Sequence, residues 1–199
     1  MKALILVDIQ NDFLPNGSLA VTDGDKIIPF VNKLINGFHG LVVTTQDFHP
    51  VNHKSFASNN EGKNIGELGE LNGQVQVMWP NHCVEGTVGA EFSKELHLQK
   101  VIKNFPKGTN PEVDSYSGFF DNDQKSSTGL GEYLKEQEVT EVVVVGLALD
   151  YCVKATALDS QKLGFKTSVL LEGTKAVNLN PGDDQKAITE LTNNGVKVL

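Results

Sequence analysis

Val142-Val143-Val144-Val145-Gly146-Leu147-Ala148-Leu149-Asp150-Tyr151-Cys152 is the stretch from which the fold is read. Four consecutive valines leave no wet face, so they describe a strand buried on both sides of a parallel sheet. Gly146 ends the run and lets the backbone turn. Asp150 then reads as a helix N-cap, with the helix running to Leu163 and stopped by Gly164. Cys152 falls in the first turn of that helix, where free N–H groups and the positive end of the dipole favour a thiolate. A strand, a Gly turn and a cysteine at a helix start make a mount for a nucleophile; the plain alternative is a small core cysteine.

Working outward, the same alternation recurs. Ala3–Val7 is an apolar strand closing on Asp8. Asp25 caps a helix through about Asn36, with Ile27, Ile28, Val31, Leu34 and Ile35 at helical spacing. Leu41–Thr45 is a second strand, Val101–Phe105 a third, Lys166–Leu171 follows the valine strand, and Val196–Val198 is the last. Helices are expected near Glu91–Leu98, Leu130–Gln137 and Asp183–Asn194. Strands alternating with helices predict an α/β fold, three layers with a mainly parallel six-stranded sheet and helices on both faces. Residues 51–73 and 109–125 read as irregular connections, and long connections of this kind tend to carry function. No repeat or linker divides 1–199, so one domain is expected.

The 199 residues carry a formal charge of −8, which argues against nucleic acid and anionic membranes as partners. All 17 basic residues are lysines, so the bidentate guanidinium fork preferred for dianionic substrates is missing. Two cysteines give no disulfide framework, and no stretch approaches a membrane span. The first apolar run is too short for a signal peptide and is broken by Asp8. These features predict a cytoplasmic protein acting on a small molecule, with homo-oligomers left open.

In open parallel sheets ligands sit beyond the carboxyl ends of the strands. Asp8, Asp47 with His49, Lys107 and Cys152 each follow a strand and so converge on one edge. A thiol needs a base, for which Asp8 serves, and a cation nearby holds that carboxylate ionised. Lys107 is preferred over Lys103, which lies inside its strand. Asp47-x-His49 with the later His82 forms a metal set suited to zinc, iron or manganese. His53 stands open as a fourth ligand, and Cys83 reads as core packing. Phe13, Trp79 and Tyr116 are loop aromatics on the same edge, either local packing anchors or the walls of a flat slot for a ring.

Taken together, Val7-Asp8-Ile9-Gln10-Asn11-Asp12-Phe13, Asp47-Phe48-His49-Pro50, Trp79-Pro80-Asn81-His82-Cys83, Lys107-Gly108, Asp114-Ser115-Tyr116-Ser117-Gly118-Phe119 and Gly146-Leu147-Ala148-Leu149-Asp150-Tyr151-Cys152 resemble the nicotinamidase (pyrazinamidase) branch of the isochorismatase-like hydrolases. The resemblance runs the length of the chain, in order. It implies a Rossmann-like fold and hydrolysis of nicotinamide to nicotinic acid and ammonia through a cysteine thioester, in NAD salvage. It further implies Asp8, Lys107 and Cys152 as catalytic residues, and Asp47, His49 and His82 as ligands of a divalent metal, zinc first, that binds the pyridine nitrogen. Phe13, Trp79 and Tyr116 would line the ring slot. The backbone N–H groups of Ala148 and Cys152 would form the oxyanion hole, beside a cis Leu147–Ala148 bond. Two relatives in the fold compete: a vinyl ether hydrolase, which lacks the cysteine, and a carbamoyl amidase, which lacks the metal set. A metallohydrolase with a structural Cys152 and a non-catalytic binding protein complete the alternatives.

Overall fold

Every strand of the central sheet is parallel to its neighbours, and the residues of each strand explain why. The computed structural model describes all of residues 1–199. β1 (Lys2–Val7) lies between β2 (Leu41–Asp47) and β6 (Glu141–Leu147). Ala3, Ile5 and Val7 pack on one face with Val142 and Val144, while Leu4, Leu6, Val145 and Leu147 pack on the other. Apolar side chains at every position thus fill two cores at once, as the valine run required. The first face is covered by α2 (Leu130–Glu136), α3 (Lys154–Lys162) and α4 (Asp183–Asn193), the second by α1 (Ile28–Gly37) and the loops around it.

The six strands run β5 (Val101–Lys107), β2, β1, β6, β7 (Lys166–Lys175), β8 (Lys197–Val198). The order reverses between β1 and β6, so a crevice opens at their carboxyl ends, where ligands bind in sheets of this kind. No helix is long and apolar enough to cross a membrane.

Several local expectations are corrected. The third strand does not stop at Phe105 but continues through Pro106 to Lys107; β5 is an edge strand, where a missing N–H costs no ladder bond. Glu91–Leu98 is not a helix. Its backbone is committed elsewhere, with Asn11 N–H donating to Glu91 O and Ser93 N–H to Ile9 O. Asp25 caps nothing: a 3₁₀ turn, Gly24–Ile27, leads into α1. Asp150 is not an N-cap either, because Leu149–Val153 forms a π turn entered from Ala148.

The connection at 51–73 ends in structure of its own. β3 (Leu68–Leu71) and β4 (Gln74–Val77) form an antiparallel hairpin, turned by Asn72 and Gly73 at φ +52° and +75°. Asn-Gly is a strong hairpin signal, and it stands in the sequence at that point.

Candidate active site

The sheet register sets the charged centre. Asp47 and Lys107 are direct partners in the β2–β5 ladder, and Asp8 follows β1 at φ +48°. Cys152 sits in the π turn after β6. Gly146 has φ +127°, and a Cβ there would run into the Val7 carbonyl, so only glycine lets β6 lie this close to β1.

The Lys107 ammonium, fully buried, has three protons and donates to Asp47 Oδ1 at 2.8 Å, Ser115 O at 2.8 Å and Cys152 Sγ at 3.4 Å. Its donors are then used up. Asp8 Oδ2, only 3.0 Å from Nζ, shares the charge without a well-directed hydrogen bond and has no hydrogen-bond partner. Asp8 Oδ1 accepts from Thr45 Oγ1 at 2.6 Å. The result is a carboxylate oxygen with an open lone pair beside a thiol.

Burial would lower the pKa of Lys107, but the charges of Asp47 and Asp8 oppose it, and the amine is held well above its ordinary value. Burial raises Asp8 above its ordinary value, and the Lys107 charge offsets only part of this. Cys152 is raised well above a free thiol, first by burial and then by Asp8 and Asp47, against the opposing pull of Lys107. Burial and the two carboxylates thus oppose the resting thiolate expected from the helix start. Lys103, by contrast, lies outside the cluster, with Nζ over the Phe105 and Tyr133 rings at 5.0 and 4.4 Å.

Asp47 Oδ2 faces His49 Nε2 at 3.2 Å and His82 Nε2 at 3.4 Å. Each ring places its Nδ1 on a backbone carbonyl, His49 on Gly108 O at 2.9 Å and His82 on Pro80 O at 2.8 Å. A carbonyl only accepts, so both Nδ1 atoms carry a proton, which turns both Nε2 atoms toward one point beside Asp47 Oδ2. Gly108 has φ +65°, and a Cβ there would collide with the His49 ring. Two imidazole lone pairs and a carboxylate oxygen, all buried and within 4.8 Å of one another, fit a divalent cation. His53 falls outside that trio but forms a second buried group with His49 and Asp114, whose ligand atoms also lie within 4.8 Å of one another. Its Nδ1 pairs with Ser55 Oγ at 2.7 Å, its Nε2 is buried without a partner, and burial and the His49 charge lower its pKa to about 4. Cys83 is fully buried in the second core.

A cleft opens onto both groups, with Asp47, His82 and Cys152 among its lining. Phe13, Trp79 and Tyr116 wall it, as do Ala148 and Cys152, and the Leu147–Ala148 peptide is cis. Trp79 Nε1 donates to Tyr116 Oη at 3.2 Å, and Tyr151 meets both rings edge-on, with centroids 4.9 and 5.4 Å away. The cleft is walled mostly by apolar and aromatic side chains.

Sequence reasoning missed several of the residues here. Leu19, Tyr151 and Val177 complete the apolar wall, and Asp114 adds a buried carboxylate. Gln76, the inward residue of β4, donates to Asp114 Oδ2 at 2.7 Å. Gln10 holds the backbone of Asp47 from both sides, accepting its N–H and donating to its carbonyl, each at 2.8 Å. The Asn72-Gly73 turn would have predicted the hairpin and so an inward Gln76; nothing local marks Leu19 or Val177.

Comparison with known proteins gives one answer. The family model described as the isochorismatase domain matches residues 2–199. The nicotinamidase of Escherichia coli K12 is 44% identical over 194 residues, covering 96% of this chain and 91% of that protein. A solved nicotinamidase/pyrazinamidase of Acinetobacter baumanii superposes with a TM-score of 0.96 at 45% identity, covering 100% of this chain and 95% of that one. The pyrazinamidase of Pyrococcus horikoshii, solved in complex with zinc, has a TM-score of 0.82 at 38% identity, covering 100% and 98%.

Proposed function

This chain belongs to the isochorismatase family, and we propose that it works as a nicotinamidase, hydrolysing nicotinamide to nicotinic acid and ammonia in NAD salvage. The observation that carries this reading is the meeting, in one aromatic slot, of a buried thiol, a carboxylate oxygen with a free lone pair and an Asp-His-His set. The Asp-His-His set favours this over a metal-free carbamoyl amidase, and Cys152 favours it over a vinyl ether hydrolase. A 44% identical relative that is a nicotinamidase supports the substrate.

In this mechanism the carboxamide carbon lies against Cys152 Sγ and the pyridine ring between Phe13, Trp79 and Tyr116. Asp8 Oδ2 removes the thiol proton as sulfur attacks the carbonyl carbon. Coupling the two steps suits a thiol whose pKa is high at rest. The backbone N–H groups of Ala148 and Cys152 hold the oxyanion. The tetrahedral intermediate expels ammonia, to which Asp8 returns its proton, leaving a thioester. Water, deprotonated by Asp8, attacks that thioester, and Asp8 passes the proton to the departing sulfur, releasing nicotinic acid and the thiol. Lys107, 3.0 Å from Asp8 Oδ2, favours the ionised form of Asp8 from which each proton transfer starts. Asp47, His49 and His82 would hold a divalent ion, which we assign as zinc and which when bound would supply a Lewis acid for a ring nitrogen.

Both cysteines are free and buried, which suits a reducing, cytoplasmic setting. The test is ammonia release from nicotinamide by the metal-replete protein and by Cys152→Ala. Release by the first alone, with metal content equal in both, is expected. Release by both would remove Cys152 from the chemistry, and release by neither would remove nicotinamide as the substrate.

A further inference from the structure

Asp150 stands two residues before the thiol, yet the mechanism gives it no part. It is 6% exposed, and no lysine or histidine pairs with it. Its two oxygens go to a segment 27 and 28 residues further on: Oδ1 accepts the Val177 N–H at 2.9 Å and Oδ2 the Asn178 N–H at 2.8 Å. Val177 lines the slot from the loop between β7 and α4. Asn178 has φ +52°, a left-handed conformation, and its side-chain oxygen accepts the Asp184 N–H at 2.8 Å. The carboxylate therefore joins the turn that carries Cys152 to the one stretch of slot wall that comes from beyond β7.

We infer that Asp150 is a positioning residue that fixes the Val177 wall of the slot to the nucleophile's turn, and so sets how tightly an aromatic carboxamide is gripped against Cys152. A charged acceptor meeting two backbone donors makes strong, directional bonds. An aspartate side chain is short, so the distance between thiol and wall has little play. Cys152 keeps its other contacts, to Lys107 and Asp8, without Asp150. Loss of the tether should then loosen binding more than chemistry. The inference deepens the nicotinamidase reading, and only its kinetic arm rests on that reading.

The discriminating variant is Asp150→Asn, close to isosteric, which puts an NH₂ against an N–H; Asp150→Glu keeps the charge and is the rescue. In the full-length, metal-replete protein, hydrogen exchange at the Val177 and Asn178 amides should rise about tenfold or more in Asp150→Asn, with β6 amides unchanged. Alkylation of Cys152 by iodoacetamide, read by peptide mapping, should quicken by about threefold or more as the slot loosens. KM for nicotinamide should rise about tenfold while kcat falls by less than about threefold, and Asp150→Glu should recover part of the KM. Unchanged exchange at 177–178, or faster exchange with Cys152 alkylation unchanged, would overturn the inference. So would a fall in kcat as large as the rise in KM. Should the wild-type protein fail to release ammonia from nicotinamide, the substrate assignment falls, while exchange and alkylation still decide the role of Asp150.

Discussion

Asp47 and Lys107 meet as ladder partners of adjacent strands, whereas Trp79 and Tyr116, 37 residues apart in sequence, meet from two separate loops. The two halves of the site are held by different means. On the strand side, backbone pairing fixes where each Cα lies, and the side chains only reach inward from positions the sheet has already set. On the loop side, the aromatic rings are held by one another and by single polar links, such as Trp79 to Tyr116 and Gln76 to Asp114. The comparison teaches that chemistry was built on the rigid element and recognition on the adaptable one. Strand-end changes should therefore act on kcat and loop changes on KM.

The hardest test of that division is Asp8→Asn. Removing the base should lower kcat by about 10²–10⁴-fold with KM little changed. The same variant removes a charge that raises the Cys152 pKa, so alkylation of Cys152 at neutral pH should become faster as turnover is lost. Slower alkylation would mean that Asp8 activates the resting thiol. In the wild-type enzyme Asp8 must be ionised to act. Its pKa is raised, so kcat/KM should fall on acidification through a value above 3.8, the ordinary one for aspartate.

Trp79→Leu probes the loop side and should raise KM by about tenfold, the scale of a lost aromatic face, with kcat nearly intact. An equal fall in kcat would show that the slot orients the reacting carbon as strictly as the sheet does. Smallest in its effect on turnover is Ile5→Ala in the β1 core. It should cost about 2–5 kcal/mol of stability by denaturant unfolding, while kcat per folded molecule stays unchanged.

The same division decides how much the sequence reveals. Asp8, Asp47, Lys107 and Cys152 were legible because each follows an apolar run whose period and length announce a strand, and parallel strands deliver their ends to one edge. Lys107 shows the limit: Pro106 hides the last two residues of β5 from a propensity reading, and only the edge position makes the proline harmless. Asp150 was placed correctly but given the wrong partner, because an N-cap is local and the bonds to Val177 and Asn178 are not. Leu19, Tyr151 and Val177 were not foreseen, since their place in the slot depends on how loops of unrelated sequence close over the sheet. The thiolate expected from a helix start is opposed by burial and two neighbouring carboxylates, which only the folded chain assembles.

The central claim is that the strand-end thiol becomes covalently acylated. Rapid acid quench of the wild-type enzyme turning over nicotinamide, followed by peptide mass spectrometry, should find a nicotinoyl thioester on the peptide bearing Cys152 and none on Cys83. Product formation with Cys152 never acylated, at quench times shorter than one turnover, would contradict the account and move the chemistry to the Asp47-His49-His82 side of the slot.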